Sequence, residues 1–372
     1  MIKKLGYYLF AMCFTVFRII PLNRNKIFFV ATHDDSNEGN IGIVAEAVRR
    51  EMPEKKCIFL TKRDGIRRPF SFFLGKAFHM ATSAVIFLDN EFMPMAYTRI
   101  SPRAKVVQLW HGTGTIKKFG LDSDTGEVAR LARKANGRLT HLIVNSELTK
   151  KQYGSAFGVP EDKIYMLGLP RTDLMLDEKK MDKLKKNFYE QYPSLVKKHC
   201  SLYAPTFRDS EVDKPVFGLD FDSFCSCMEE DEVLLVRLHP HVAANCPDSI
   251  WERYAGKIVN VSEYPGVATL LAVAERLVTD YSSIIFEYCL LDREMIFYAY
   301  DYEDFRKEGR DFYENYPDFV PGPVVYSQQE LEKIWQEKSF DSQLLQRFKK
   351  KTFRHLDQNA TNRLLELIFG KK

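Results

Sequence analysis

The segment KIFFVAT, residues 26–32, is apolar at every position from Ile27 to Ala31. A run this short, without polar residues at alternate positions, reads as a strand buried on both faces, as a parallel sheet requires. The same signal recurs at KCIFLT (56–61), SAVIFLD (83–89), KVVQLWH (105–111), HLIVNS (141–146) and KIYMLG (163–168). Segments with helical periodicity lie between them, such as Ile41–Arg50 and Val128–Lys134. Strands alternating with helices predict βαβ units and a doubly wound α/β sheet.

A highly charged stretch, 177–198, has no long apolar run and reads as a linking helix. The rhythm then restarts at SLYAPT (201–206), EVLLVRLH (232–239), KIVNVS (257–262), RLVTDYSS (276–283) and EMIFYAY (294–300). The expected layout is two Rossmann-like domains, 23–176 and 199–340, facing a cleft. Helices over 341–372 are expected to return to the first domain. Ligands of such sheets bind beyond the carboxyl ends of the strands.

The whole chain has 372 residues, 45% of them hydrophobic, enough for two real cores. Its net charge of +4 balances 54 basic against 50 acidic residues, which gives no footprint for nucleic acid. Seven cysteines at irregular spacing argue against a disulfide framework. Cys225 and Cys227 lack a second pair at ligand spacing, so no metal site is expected. Both a G-x-S-x-G elbow and a Walker motif are missing, so acyl-enzyme chemistry and P-loop ATP hydrolysis are unsupported.

The first 22 residues stand apart. LGYYLFAMCFTVF (5–17) is almost purely apolar, flanked by Lys3, Lys4, Arg18, Arg24 and Lys26, with no acidic residue before Asp34. As a helix it covers only about 20 Å, short of a hydrocarbon core of about 30 Å. Two readings stay open: a helix packed on the protein body, or one lying in the cytoplasmic face of a membrane, apolar side down.

Polar residues follow several strands. His111 ends KVVQLWH, Gly112 and Gly114 allow a tight turn, and Lys117 and Lys118 add positive charge. A histidine there suits general base work; a buried histidine before a turn is the plain alternative. Arg237 and His239 share a strand face and read as an anion clamp, with His239 and His241 as a weaker metal pair. In TDYSS, Thr279 and Asp280 lead to Ser282 and Ser283, which could bind an anion at a helix start or simply cap it. Thr206, Arg208 and Asp209 take the matching place in the strand that opens the second half. The loop His33–Asn40 is rich in acceptors and suits polyol or sugar hydroxyls; a surface loop is the alternative.

Together LWHGTGTIKKFG (109–120), GLPRTD (168–173), YAPTFRD (203–209), RLHPH (237–241), VTDYSSIIFEY (278–288) and PGPVV (321–325) resemble the CDP-glycerol glycerophosphotransferases that build bacterial wall teichoic acid. The resemblance implies a GT-B-like fold and transfer of glycerol phosphate from CDP-glycerol to a hydroxyl, releasing CMP. It makes His111 the general base and sets His239 and Arg237 at the donor phosphates. Ser282, Ser283, Thr279, Asp280 and Thr206 lie nearby, and Arg208 and Asp209 order the cleft. Expected acceptor-side contacts are Thr113, Lys117, Lys118, Asp34 and Asn37.

The HGTGTIKKFG wording, and a length without room for the large N-terminal domain of long polymerases, lean to the primase branch. The expected acceptor is then an undecaprenyl-pyrophosphate-linked ManNAc-GlcNAc, met by a peripheral enzyme at the cytoplasmic membrane face. No cofactor is required, and a Mg²⁺ on the donor pyrophosphate stays open. Rival readings are a CDP-ribitol donor, a short polymerase, a nucleotide-sugar glycosyltransferase and a silent membrane scaffold.

Overall fold

A computed structural model describes residues 2–67, 70–208, 217–247, 249–307, 311–338 and 340–370. The chain forms two compact units. Residues 1–114, 118–173 and 352–372 make the first, and 115–117 with 174–351 the second.

The first unit is built on six parallel strands: β1 (Asn23–Ala31), β2 (Lys56–Thr61), β3 (Ser83–Leu88), β4 (Lys105–Gln108), β5 (His141–Val144) and β6 (Ile164–Met166). Their order is β2-β1-β3-β4-β5-β6, with every pairing parallel. Period-two alternation splits KIFFVAT between two cores. Ile27, Phe29 and Ala31 face helix α2 (Asn40–Glu51) and the helix Ala360–Phe369, through Val44, Val48, Leu364 and Ile368. Phe28 and Val30 face the other side, where Phe10 and Phe14 of helix α1 (Ile2–Phe17) join the core. Each such large side chain taken from water contributes about 1.5–3 kcal/mol.

Helix α1 therefore packs on the protein body along one stripe. Its other face is apolar yet open: Leu5, Met12 and Val16 are more than half exposed, and Ile19 just beyond is 85% exposed. Among the described residues no helix is long and apolar enough to cross a membrane.

The second unit repeats the design with β7 (His199–Ala204), β8 (Glu232–Val236), β9 (Ile258–Asn260), β10 (Arg276–Thr279), β11 (Glu294–Tyr298) and β12 (Val324–Val325). The order is β12-β11-β10-β7-β8-β9, again all parallel. Leu234, Val236, Val278 and Ile296 pack against Phe224, Leu331 and Trp335 from the covering helices.

Two boundaries differ from the sequence expectation. The charged stretch is helical as expected, but helix Glu178–Gln191 is part of the second unit: it buries Met181 and Phe188 and packs on helix Val267–Val273. The return to the first unit starts at Thr352 rather than at 341. Helix Ser342–Thr352 stays with the second unit because Phe348 lies against Phe286 and Phe319, each at 5.3 Å, and Lys349 pairs with Asp292 at 2.8 Å.

Past that point Asp173 takes hold of the chain. Its carboxylate accepts the backbone N–H groups of Ala360 (2.9 Å) and Thr361 (2.7 Å) and so caps the helix Ala360–Phe369.

Candidate functional site

Strand β4 ends in an abrupt bend. Leu109 still donates to Leu88 across the sheet, and then Trp110 enters the left-handed region at φ 57°. For a bulky residue this costs about 1–3 kcal/mol, so the surroundings must hold it. They do: the Trp110 N–H donates to the Gln108 side chain at 2.9 Å, and its carbonyl accepts from Asn40 Nδ2 at 3.0 Å. The indole stacks on Phe119 at 5.2 Å and meets the edge of Phe157 at 5.0 Å. Gly112 follows where a Cβ would lie 3.0 Å from the Gly114 carbonyl oxygen.

The bend delivers His111. Its ring stacks on His33 with centroids 3.6 Å apart and an 11° tilt. Its Nδ1 lies 3.1 Å from the Asp89 carbonyl oxygen. A carbonyl only accepts, so Nδ1 carries the proton and Nε2 keeps its lone pair. Burial, and then the neighbouring His33, pull His111 well below the ordinary histidine range, so the ring is neutral at neutral pH.

Asp89 does a second job. Its carboxylate accepts the N–H groups of Thr32 (2.9 Å), His33 (3.1 Å) and Asp34 (2.9 Å), which pins the loop after β1. Arg171 completes the frame, donating to the His111 carbonyl at 2.8 Å and to Asp34 Oδ2 at 3.0 Å. Asn40 Oδ1 accepts the Arg171 N–H at 3.0 Å. This cluster is a neutral imidazole with one basic nitrogen, held by residues that follow β1 and β3 and by Asn40 and Arg171 at two helix starts.

The acceptor-side expectations fare unevenly. Asp34 spends its carboxylate on Arg171, and Thr113 is buried with its carbonyl held by Asn145. Lys117 belongs to the second unit, bridging to Phe312 with its ammonium 5.6 Å from the Phe305 ring centroid. Lys118 is half-buried, and Asn37 is exposed on the loop.

The second unit gathers its own polar group at the ends of β7, β8, β10 and β11. His239 is exposed and stacks on Phe207 at 4.8 Å. Arg237 is partly exposed and donates to the Tyr264 carbonyl at 2.8 Å. The Thr206 hydroxyl is buried without a hydrogen-bond partner beside a small hollow lined by His239 and Tyr300. Such an orphan is rare in a folded protein and fits a group that meets a ligand.

Thr279 and Asp280, expected near the donor, are turned inward, together with Arg208, expected to order the cleft. Thr279 is fully buried and donates to the Ala204 carbonyl at 2.7 Å. Asp280 is 1% exposed and accepts from Thr206 N–H (2.7 Å), Tyr281 N–H (2.6 Å) and Arg208 (2.6 Å). Arg208 is buried, gripping Asp301 with two bonds of 2.8 Å beneath Tyr281 and Tyr300. A guanidinium so occupied orders the loops; it has no open fork for a phosphate.

Ser282 and Ser283 remain partly exposed. The helix after them, Ile285–Tyr288, is one turn long, so its dipole adds little, and Ser282 Oγ accepts the Ile284 N–H at 3.3 Å. Asp209 lies outside the described residues.

Sequence reasoning missed Asp89 and Asp301, and it named His33 and Asn40 only as the ends of a polar loop and Arg171 only within a motif. Asp89 closes an apolar run and Arg171 sits inside GLPRTD, so their positions carried a signal; their partners did not.

The family model for CDP-glycerol:poly(glycerophosphate) glycerophosphotransferase matches residues 12–370. The chain belongs to this family. It is 35% identical over 375 residues to the teichoic acid poly(ribitol-phosphate) polymerase of Bacillus spizizenii, covering 99% of this chain but only 60% of that one. The teichoic acid ribitol-phosphate primase of the same species is 27% identical, over 94% of this chain and 92% of its own. Among solved structures, the wall teichoic acid polymerase TagF superposes with a TM-score of 0.83 at 20% identity, covering 99% and 95% of the two chains. That likeness shows a shared fold. In this member of the glycerophosphotransferase family, the His111 cluster stands where the chain's HGTG motif lies.

Proposed function

We propose that the protein transfers glycerol phosphate from CDP-glycerol to a hydroxyl of a lipid-linked acceptor in wall teichoic acid synthesis. The observation that carries this reading is the His111 ring, neutral and fixed with Nε2 unprotonated. Nε2 takes the proton of the acceptor hydroxyl as its oxygen bonds to the phosphorus that bears glycerol. The pyrophosphate P–O bond breaks and CMP leaves. His239, Arg237, Ser282, Ser283 and the Thr206 hydroxyl supply donors to phosphate oxygens, where charge grows in the transition state. Positioning and electrostatics of this kind suit a GT-B-like pair of units.

A second reading, a CDP-ribitol donor with chain extension, is favoured by the 35% identity to a poly(ribitol-phosphate) polymerase. The undecaprenyl-pyrophosphate-linked ManNAc-GlcNAc acceptor accords with priming, and a polyol phosphate chain already on it accords with extension. The open apolar face of α1, with Phe70 83% exposed and Leu74 half-exposed beside it, supports peripheral docking on the cytoplasmic membrane face.

The test is one reaction followed by mass spectrometry, with CDP-glycerol or CDP-ribitol and a soluble-tailed disaccharide-pyrophosphoryl lipid. One added unit with CMP release means priming, and a ladder means extension. Silence with both donors overturns the transferase reading.

A further inference from the structure

A second cavity lies in the first unit, away from the His111 ring, between α2 and the ends of β1 and β2. Its volume is about 250 Å³. The sequence of α2 makes it. Ile41, Ala45 and Arg49 recur at four-residue spacing and share one helix face, with Gly42 beside them. Gly42 and Ala45 are small, so the floor lies low and leaves the space open. At Gly42 a Cβ would lie 2.2 Å from the Ser36 carbonyl oxygen, so only glycine lets the loop 34–39 cross the start of the helix.

The two ends differ in chemistry. Asp35 and Asn37 line the end nearest the start of α2. Arg49 lines the other, about 12 Å further along the helix axis at ~1.5 Å per residue. Its guanidinium lies over the Phe59 ring at 5.2 Å, and among the described residues no carboxylate pairs with it. Stacking holds the planar cation while its edge donors stay available to an anion. Thr61, between the ends, donates its hydroxyl to Asp64 and can still accept. A carboxylate and an amide for hydroxyls, a guanidinium for a phosphate and a small-residue floor define one ligand class.

We propose that this cavity binds a polyol phosphate unit already attached to the acceptor. The inference rests on the extension reading of the transferase. The loop that carries Asp35 and Asn37 is the one whose start Asp89 pins and whose His33 stacks on His111. An acceptor seated there is connected to the base through a single short segment. The unprimed acceptor carries phosphate only as the pyrophosphate on its lipid side and has no polyol phosphate at its sugar end, so a site built for hydroxyls and a phosphate together selects for an acceptor that has been primed.

The experiment is calorimetric titration of the full chain, saturated with CMP to occupy the donor site, using sn-glycerol 3-phosphate and ribitol 5-phosphate. Inorganic phosphate and free glycerol are the comparison probes. One polyol phosphate should bind per chain, at least about tenfold tighter than either comparison probe. Arg49→Ala, on an exposed side chain, should weaken it by about tenfold or more, and Ala45→Leu should fill the floor and weaken it likewise. Binding untouched by Arg49→Ala, inorganic phosphate binding as tightly, or no binding at all would overturn the proposal. Should Ala45→Leu fail to fold by its melting curve, Arg49→Ala decides alone. Transfer without Arg49-sensitive binding removes this site and leaves the enzyme reading standing. Arg49-sensitive binding without transfer does the reverse.

Discussion

His111 Nδ1 and the Asp89 carbonyl oxygen meet at 3.1 Å, and this contact determines which nitrogen of the ring is basic. The same aspartate holds three successive backbone N–H groups with its carboxylate. One residue therefore orients the imidazole and anchors the loop that stacks against it.

His111→Ala should lower the transfer rate by about 10²–10⁴ while leaving CDP-glycerol affinity within about twofold, because a base acts on the acceptor. Rapid-quench kinetics beside equilibrium donor binding checks this. An equal loss of both would move His111 to the donor.

Asp89→Ala takes the shared acceptor from three part-buried N–H groups, and leaving such groups unpaired costs up to about 1–3 kcal/mol. The variant should melt several degrees lower and lose turnover with little change in donor KM. Wild-type turnover in a chain of lowered melting temperature would separate the carboxylate from catalysis.

A histidine must be neutral to work as a general base. His111 lies well below the ordinary value of about 6.5, so turnover should be level through pH 6.5 and fall only on the acid side of it. The neighbouring His33 adds to the depression after burial, so His33→Ala should move the acid limb up toward 6.5. The sign for stability is the same. The unfolded chain protonates this histidine first, so stability is complete above about 6.5 and declines below it. A pH–rate profile of both proteins reads the shift.

Arg208→Lys keeps the charge but loses the two-pronged grip on Asp301. Removing one partner of a buried pair costs about 3–5 kcal/mol, and a variant that keeps the charge should lose less than that. Chemical denaturation should report that loss, and donor KM should rise as the loops bearing Thr206 and Ser282 loosen.

Met12→Glu with Val16→Glu alters only exposed positions of α1. Flotation with anionic liposomes should fall by about tenfold or more while the melting temperature stays within about two degrees. Undiminished flotation would assign docking to another surface.

The rhythm of strands was legible because parallel strands buried on both faces leave unbroken apolar runs, as in KIFFVAT. The position of His111 at a strand end was legible too. Its tautomer was not, since that depends on the Asp89 carbonyl, which no side-chain pattern records. Arg208, Thr279 and Asp280 show the opposite limit. Arg208 and Thr279 are of types that donate to phosphate, yet packing at 0–5% exposure commits Arg208 to Asp280 and Asp301 and Thr279 to the Ala204 carbonyl. Composition at a strand end does not reveal whether a polar group faces the ligand or the loop behind it.

The cap from Asp173 to Ala360 and Thr361 has a consequence for biosynthesis. Leu364, Leu365 and Ile368 belong to the first unit's core, yet they emerge from the ribosome after all of residues 174–351. At about 5–20 residues per second, the interval between Asp173 and Ala360 lasts on the order of ten to forty seconds. Throughout it, one face of the first sheet stands without its final helix. The domain begun first is finished last, and a nascent chain would expose that apolar face to chaperones until translation has passed residue 368.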